Sequence, residues 1–215
     1  MSKRIFRLFL VSVLFSGIAW QPGRAENYYG MANDYLQYGA GARSLAMGGA
    51  YVALADDASA PYWNPAGIAQ IEEHQFLSMY APFFEGTSYS FISYVYPLRG
   101  LGNLAISDVF LYSGGYEEVS AGGEVSGGSS SVWKNAVIIC YGNKIHRRVF
   151  LGASLKLIYE RVMKYSGSGQ GIDLGILCKP LDRLSIGLAV QNVLQPKVTL
   201  REEPDVYRIN FKGGL

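Results

Sequence analysis

The sequence contains few charged residues, few histidines and few cysteines. Charged side chains make up 17% of the 215 residues, whereas soluble domains usually contain about a quarter. Two histidines and two cysteines offer few ligands for a metal site. Beyond the N-terminus, no uninterrupted apolar stretch reaches the roughly 18 residues that a membrane-spanning helix needs. These absences argue against transmembrane helices and against metal centres rich in cysteine or histidine.

The N-terminus has the organisation of a secretory signal peptide. Three basic residues precede an apolar run over residues 8–20, and the small residues Gly23 and Ala25 suit the subsites of a signal peptidase. We predict cleavage after Ala25. Removing residues 1–25 leaves 15 basic against 17 acidic residues, so the formal net charge changes from +2 to −2. A protein of this charge does not attract nucleic acid.

From about residue 74 onward, apolar side chains alternate with small or polar ones. Segments of roughly ten residues are separated by Gly, Ser, Pro, Asn or Asp, and a period of two is typical of β-strands. The sequence therefore predicts an all-β fold. The eight predicted strands cover residues 75–83, 88–98, 103–112, 131–142, 149–163, 171–180, 184–193 and 206–215.

The two faces of the predicted strands favour a membrane barrel over a soluble sandwich. Within residues 149–162, Leu151 and Leu155 lie on one face and Gly152 and Ser154 on the other. A face that meets water should carry long charged side chains, whereas a face of small residues suits a crowded barrel lumen. We therefore predict a transmembrane antiparallel β-barrel over residues 74–215, with its apolar face toward lipid.

The connections and two aromatic residues are also typical of outer-membrane barrels. Trp133 and Tyr141 lie at opposite ends of one outward face, where aromatic girdles are expected. Short turns on one rim would alternate with longer loops on the other, including a mobile Gly- and Ser-rich loop. The short turns cover residues 98–102, 143–148 and 180–183, and the longer loops cover 113–130, 164–170 and 194–205.

The phase of the strands also predicts that the two cysteines stay unpaired. Cys140 is in register with Lys134 and Gly142 on the inner face, whereas Cys178 follows Leu174 on the outer face. Side chains on opposite faces of a sheet cannot satisfy disulfide geometry. We expect two free thiols.

Between the leader and the strands, residues 26–73 do not alternate. Their Ala-rich middle predicts a short helix after an N-cap at Ser44, followed by turn and loop. Three motifs here resemble the FadL-like outer-membrane transport family, and more closely its PorV/PorQ branch associated with type IX secretion. The motifs are Leu-Ala-Met-Gly-Gly-Ala at 45–50, Ala-Asp-Asp-Ala at 55–58 and Trp-Asn-Pro-Ala-Gly at 63–67, and the segment 184–193 resembles a strand of that branch.

The resemblance implies a 14-stranded barrel whose N-terminal segment folds into the lumen as a hatch. About eight strands can be counted, and the C-terminal Gly213-Gly214-Leu215 lacks the aromatic residue expected at the end of such a barrel. An eight-stranded barrel would have no room for a hatch, so we expect C-terminal truncation. The residues of the hatch motif are Gly48, Gly49, Asp56, Asp57, Asn64 and Pro65.

The sequence offers weak signals for catalysis, cofactors and metals. The glycine-rich stretch 39–44 is not part of a βαβ unit, as a dinucleotide loop would be. Ser131 and Lys134 have the spacing of an acyl-enzyme motif, but a strand directs them to opposite faces. His74 and His146 lie at strand ends without a partner at ligand spacing. We predict no catalytic residue, no cofactor and no metal site.

Two acidic features need a structural explanation. Asp56 and Asp57 would cap turns, although adjacent carboxylates could instead bind a cation or prime a change in the hatch. Asp108 shares the phase of Leu104 and Ile106, which would place a carboxylate against lipid at a cost. A bulge near Asp108 would turn it inward. In the resembled family a break in the third strand is a lateral exit for hydrophobic ligands.

Three functions remain open on sequence alone. The first is non-enzymatic uptake or binding of a hydrophobic small molecule through a plugged outer-membrane barrel. The second is an accessory or scaffold of type IX protein secretion, with loops 113–130 and 194–205 meeting secretion-system proteins. The third is a soluble periplasmic β-sandwich with a binding role. An apolar pocket between hatch and wall would favour uptake, and a packed lumen would favour the scaffold.

Overall fold

The computed structural model describes residues 34–84, 86–119, 125–201 and 204–215. The signal peptide predicted for residues 1–25, and the part of the predicted hatch before residue 34, lie outside these residues. Most of the predicted hatch and nearly all of the predicted strands are therefore described.

The predicted all-β fold is confirmed, and its main element is one antiparallel sheet of eight strands. The strands are β1 (Gln75–Pro82), β2 (Thr87–Leu98), β3 (Gly102–Val119), β4 (Val125–His146), β5 (Val149–Val162), β6 (Tyr165–Leu181), β7 (Leu184–Leu194), β8 (Lys197–Thr199), β9 (Pro204–Val206) and β10 (Asn210–Gly214). In the sheet they pair in the order β1-β2-β3-β4-β5-β6-β7-β10, and β8 and β9 form a separate hairpin. Across the described residues the sheet is open, with β1 and β10 at its two edges.

The loops predicted at 113–130, 164–170 and 194–205 are wholly or partly β-structure. β3 and β4 extend through most of the first, and the β5–β6 turn is only Met163 and Lys164. The third contains the β8–β9 hairpin, and β10 begins at Asn210 although a strand was predicted from residue 206. These predictions were wrong because pairing with a neighbouring strand satisfies the backbone without apolar side chains. Such strands carry no hydrophobic period.

The two faces of the sheet differ in exposure, and the predicted alternation is confirmed. On one face, here called the covered face, Ser154, Lys156 and Glu160 of β5 are at most 4% exposed. The opposite face, here called the open face, carries large apolar side chains that are between 37% and 55% exposed. Examples are Leu104, Ile106, Ile139, Leu155, Leu174 and Leu188.

Residues 34–71, here called the N-terminal segment, pack on the covered face. They contain two short α-helices, α1 (Ala42–Ala46) and α2 (Ala60–Trp63). Two 3₁₀ turns, Asp34–Gln37 and Pro65–Gln70, flank them. Among the residues described, none of the helices has the length and apolar character needed to cross a membrane.

The predicted N-cap at Ser44 is wrong, because α1 already begins at Ala42. Gly41 is the N-cap residue, with φ of 88°, a left-handed conformation that glycine adopts without steric cost. Gly41 therefore lets the helix begin three residues earlier than an N-cap at Ser44 would. Ser44 is then inside α1, and its hydroxyl donates back to the carbonyl oxygen of Gly41 at 2.8 Å.

The predicted irregularity near Asp108 is also wrong. β3 pairs without interruption with both β2 and β4 from Leu104 to Tyr112, and its register shifts come only after Gly114. Asp108 therefore stays on the open face, where it is half-buried. Asn135 of β4 donates its side-chain amide to Asp108 Oδ1 at 2.5 Å, so the carboxylate finds a partner without a bulge.

The two cysteines are free thiols in different environments, as predicted. Cys140 is fully buried, and its thiol lies 3.7 Å from the carbonyl oxygen of Pro65. Cys178 is partly exposed on the opposite side of the sheet.

We expect a small maleimide to label one thiol in the folded protein and both after denaturation. Burial protects Cys140, whereas Cys178 lies near the end of β6. Intact-mass measurement counts the added groups, and Cys178→Ser should abolish labelling of the folded form. Recovery of unlabelled protein unless a reductant is added would indicate a disulfide and contradict the assignment.

Candidate functional site

A row of small residues crosses the covered face from β3 to β7. Antiparallel pairing places Asn103 opposite Gly142, Gly142 opposite Gly152 and Gly152 opposite Gly175. Gly175 is in turn opposite Ala189 of β7. The three central residues, here called the glycine row, leave a shallow channel across the sheet.

The turn after α2 fills this channel. A methyl group added at Gly152 would overlap the peptide between Pro65 and Ala66, and one at Gly175 would overlap the side-chain oxygen of Asn64. At Gly142 it would lie 2.6 Å from Ile68 Cγ1, closer than carbon atoms approach. Only glycine allows the backbone of the N-terminal segment to lie this close to the sheet.

Asn64 joins the N-terminal segment to the sheet through its side-chain amide. Its Nδ2 donates to the carbonyl oxygens of Val52, at 2.8 Å, and Ile176 of β6, at 3.2 Å. Its Oδ1 accepts the backbone amide of Ala66 at 3.1 Å, which caps the following 3₁₀ turn. Asn64 is fully buried, so its side-chain amide needs these partners within the protein.

Asn103 performs a similar role at the β3 end of the row. Its side-chain amide donates to the carbonyl oxygens of Ile68 and Ile71, both at 2.6 Å. Trp63 completes the packing, since its indole nitrogen donates to the carbonyl oxygen of Ala40 at 2.8 Å. The Trp-Asn-Pro-Ala-Gly motif therefore lies in close contact with the sheet.

Asp56 and Asp57 both take part in hydrogen bonds within the N-terminal segment. Asp57 Oδ1 accepts the backbone amide of Ser59 at 2.8 Å, which is the turn-capping role expected. Asp56 forms an ion pair with Arg43 at 2.5 Å. Tyr51 donates its hydroxyl to both carboxylates. Burial, with the nearby negative charge, raises the pKa of Tyr51, so Tyr51 remains a donor.

This arrangement gives the acidic pair a cationic partner from its own chain. The guanidinium of Arg43 and the hydroxyl of Tyr51 both donate to Asp56 Oδ1. In the described residues, no group of three or more His, Cys, Asp and Glu side chains is placed to hold a metal ion.

Gly48 and Gly49 form the turn that ends α1. Both have positive φ, of 65° and 80°, and the backbone amide of Gly49 donates to the carbonyl oxygen of Ser44 at 2.9 Å. A methyl group at Gly49 would lie 3.3 Å from the Trp63 ring. The three motifs of the predicted hatch thus meet: the glycine turn packs on Trp63, and Gly67 lies against the backbone of Ala55.

Buried charges on the covered face form a second part of the site, which the sequence analysis did not single out. Lys156 Nζ lies 3.0 Å from Asp173 Oδ1, and both side chains are at most 5% exposed. Asn192 binds both, accepting from Lys156 Nζ at 2.7 Å and donating its backbone amide to Asp173 at 2.8 Å. The alternation in the sequence places Lys156 and Asp173 on the same face of the sheet, and this was the signal in the sequence that could have indicated the ion pair.

A bulge in β7 brings Asn192 to the Lys156–Asp173 pair. Ile172 and Leu174 of β6 pair with Leu194 and Val190, so β7 has two extra residues between these pairs. Asn192, in this bulge, has φ of 59°, a left-handed conformation that asparagine tolerates better than most residues. The bulge aims both its backbone amide and its side chain at the Lys156–Asp173 pair.

A second buried acid lies toward the β5–β6 turn. Glu160 accepts a hydrogen bond from the hydroxyl of Tyr207, and Lys134 Nζ is 3.6 Å from its Oε1. Lys134 also lies over the ring of Tyr35, 5.7 Å from its centre. Charged groups of the sheet therefore contact the N-terminal segment.

The β8–β9 hairpin covers another set of glycines on β6. Methyl groups at Gly167, Gly169 and Gly171 would collide with or crowd the backbone and side chains of residues 196–199. The covered face of β6 is therefore occupied along its length, first by this hairpin and then by the N-terminal segment.

Next to Tyr62, the space between the N-terminal segment and the sheet is small. A cavity of about 20 Å³ lies between Tyr62 and the Lys156–Asp173 pair, which is room for one water molecule. The residues weighed for chemistry lie elsewhere. His74 and His146 are exposed, Ser131 accepts a hydrogen bond from Trp133, and Lys134 pairs with Glu160.

Comparisons with known proteins find no match for this chain among protein-family models, curated proteins or solved structures.

We predict that Gly152→Val loosens the N-terminal segment. The added side chain would displace the Pro65–Ala66 peptide, and overpacking of this kind costs about 1–3 kcal/mol. Trypsin cleavage after Arg43, followed on gels of the protein in detergent, should become faster.

The matched control is Ala153→Val, one residue along β5 on the open face, where a β-branched side chain meets no packed neighbour. Its cleavage rate should equal that of the parent protein. Equal rates for Gly152→Val and Ala153→Val would show that the glycine row is not needed for packing.

We predict that Lys156→Met lowers the free energy of unfolding by about 3–5 kcal/mol, because it leaves the Asp173 carboxylate buried without its cation. The double variant Lys156→Met/Asp173→Leu should regain much of that loss. Urea unfolding in detergent measures both, and Lys197→Met, at an exposed position, is the control. Additive losses in the double variant would mean that the two side chains do not interact.

Proposed function

We propose that this chain forms part of the wall of an outer-membrane β-barrel and that its N-terminal segment is a plug on the inner side of that wall. The observation that carries the proposal is the distribution of polarity over the sheet. Leu174 and Leu188 of the open face are 46% and 55% exposed, whereas Glu160 and Asp173 of the covered face are 1% and 2% exposed.

This distribution is the reverse of what water would favour. A contiguous apolar surface larger than a few hundred Å² is rare on soluble proteins, and the open face carries exposed Leu, Ile, Val, Phe, Tyr or Trp on all eight strands of the sheet. Lipid favours the opposite arrangement, with apolar side chains on the exposed face. In a membrane barrel, apolar residues face outward and polar residues face the lumen.

Aromatic residues of the open face include two rows at the ends of the β3 ladder, as expected for the membrane interfaces, although Tyr94 and Phe110 lie between them. Tyr96 and Tyr141 flank Leu104 at one end of the β3 ladder, and Trp133 is opposite Tyr112 at the other. Leu104 and Tyr112 are eight residues apart, or about 26 Å of strand. Tilting brings this length within the apolar band of about 25 Å that membrane barrels present. The predicted signal peptide would supply export.

Between the two membrane functions, the packing of the N-terminal segment favours a scaffold. Along the glycine row, the close backbone contacts, the Asn64 and Asn103 hydrogen bonds and the water-sized cavity leave little space for a ligand. A firmly packed, non-catalytic plug is suited to a membrane anchor that handles protein partners. The motif resemblance to the PorV/PorQ branch suggests partners of the type IX secretion system.

Uptake of a hydrophobic small molecule is the second candidate. It is supported by a concavity of about 360 Å³ beside the N-terminal segment, near the β7–β10 edge, whose lining includes Met47, Val52, Leu54 and Leu215. A ligand there would contact both the segment and the sheet.

The membrane proposal predicts that Leu157→Arg blocks assembly. Leu157 lies on the open face of β5, in line with Val137 and Asp108, and an arginine facing lipid at mid-depth costs about 2–4 kcal/mol. The measurement is the fraction of protein in the outer membrane that shows heat-modifiable mobility on a gel, which should fall several-fold.

Leu151→Arg is the matched control, because Leu151 lies on the same face of β5 beside the turn. Near an interface the same change costs about 0–1 kcal/mol, so assembly should persist. If the open face met water instead, neither arginine would matter. Parent protein in the soluble periplasmic fraction would overturn the proposal.

A further inference from the structure

The open face is not uniformly apolar. Over β5–β7 its central residues are almost entirely Leu, Ile, Val and Ala. Over β1–β4 it carries a group of polar residues, here called the Asp108 patch: Ser78, Ser90, Asp108 and Asn135. Cross-strand pairing places Ser78, Ile92 and Asp108 in one line and Ser90, Phe110 and Asn135 in the next.

The patch lies midway between the two aromatic rows. Asp108 is four residues from Leu104 and four from Tyr112, so about 13 Å of strand separates it from each row. If the wall spans a membrane, as proposed above, the carboxylate lies near the middle of the bilayer. Ionisable groups there are costly and usually mark a functional contact.

Within the described part of the chain, no cation forms an ion pair with this carboxylate. Among the described residues, the acids in ion pairs are Asp56, Asp182, Glu160 and Asp173. Asp108 has the neutral amide of Asn135 at 2.5 Å from Oδ1. It borders an apolar concavity of about 270 Å³ whose lining includes Phe76, Ile92, Tyr94, Ile106 and Val137. The concavity is large enough for a protruding side chain.

We propose that the Asp108 patch is a docking surface, within the membrane, for a transmembrane segment of a partner protein that presents a cation or hydrogen-bond donor to Asp108. This rests on the membrane location proposed above. The charge of Asp108 complements such a donor, and the concavity beside it receives the donor's side chain.

Two other occupants fit the patch less well. Lipid headgroups lie at the membrane surface, so a bilayer lipid presents only its acyl chains at the depth of Asp108. In a two-fold symmetric contact with a second copy, the same patch meets itself. That contact would bring two Asp108 carboxylates together, which is unfavourable. A different protein with a polar residue at mid-depth meets neither obstacle.

The test is site-specific photo-crosslinking of the full chain in its own membrane. A photoreactive amino acid replaces Ile92, which is opposite Asp108 on β2, or Leu174 as the control. Both positions are 46% exposed on the open face. Mass spectrometry identifies the crosslinked peptide, and each protein is checked for membrane insertion by heat-modifiable mobility.

We expect the probe at Ile92 to capture a membrane-spanning segment that has Lys, Arg, Asn or Gln within about one strand or helix turn of the crosslink. The probe at Leu174 should capture lipid. Asp108→Leu should reduce the Ile92 crosslink about tenfold, and Asp108→Asn should reduce it less, because an amide still accepts a hydrogen bond.

Thermal unfolding of the isolated protein separates docking from a merely structural role. A carboxylate that serves a partner is unfavourable toward lipid or detergent, so Asp108→Leu should leave the Tm unchanged or raise it. A lower Tm with undiminished crosslinking would show that the Asp108–Asn135 pair only holds β3 to β4, and would overturn the docking surface.

The remaining outcomes are also decisive. Inserted protein that crosslinks only to lipid at Ile92, or to a second copy of itself, overturns the docking surface and leaves the membrane proposal standing. Protein that fails to enter the membrane overturns both proposals.

Discussion

The close approach of the Asn64–Ala66 backbone to the glycine row is the contact on which the rest of the structure depends. It requires three glycines, on β4, β5 and β6, to be aligned by strand register, and any side chain there would displace the segment. Once the peptide lies in this channel, the amide of Asn64 reaches Val52 and Ile176. The N-terminal segment is thereby held against the sheet by sterics and hydrogen bonds together.

Covering one face of the sheet explains why charges can be buried there. Lys156 and Asp173 lose their hydration beneath the N-terminal segment, and burial of such a pair is tolerated only when geometry and additional hydrogen bonds are good. Asn192 provides those bonds through a bulge in β7. The opposite face keeps its exposed Leu, Ile and aromatic side chains, and it is this separation of polarity that a membrane barrel would use.

The strand phase could be read from the sequence where a hydrophobic period exists. The alternation in β5 places Gly152 and Ser154 on the covered face, as the sequence predicted. The same reasoning failed for residues 113–130 and 164–170, where small polar residues pair as strands without any period. It also failed at Asp108, because the compensating partner Asn135 is 27 residues away in the chain. Pairing partners distant in sequence leave no local signal.

The sequence by itself determined the β-class, the two unlike faces of the strands and the unpaired cysteines, because all three follow from a two-residue period that is local. It also showed the glycines and the Trp-Asn-Pro-Ala-Gly motif as separate features. Only the tertiary structure decided that these features meet, that Lys156 pairs with Asp173, and that Arg43 neutralises Asp56. Those contacts depend on register between strands and on the path of a non-periodic segment, which are set by packing across the whole sheet.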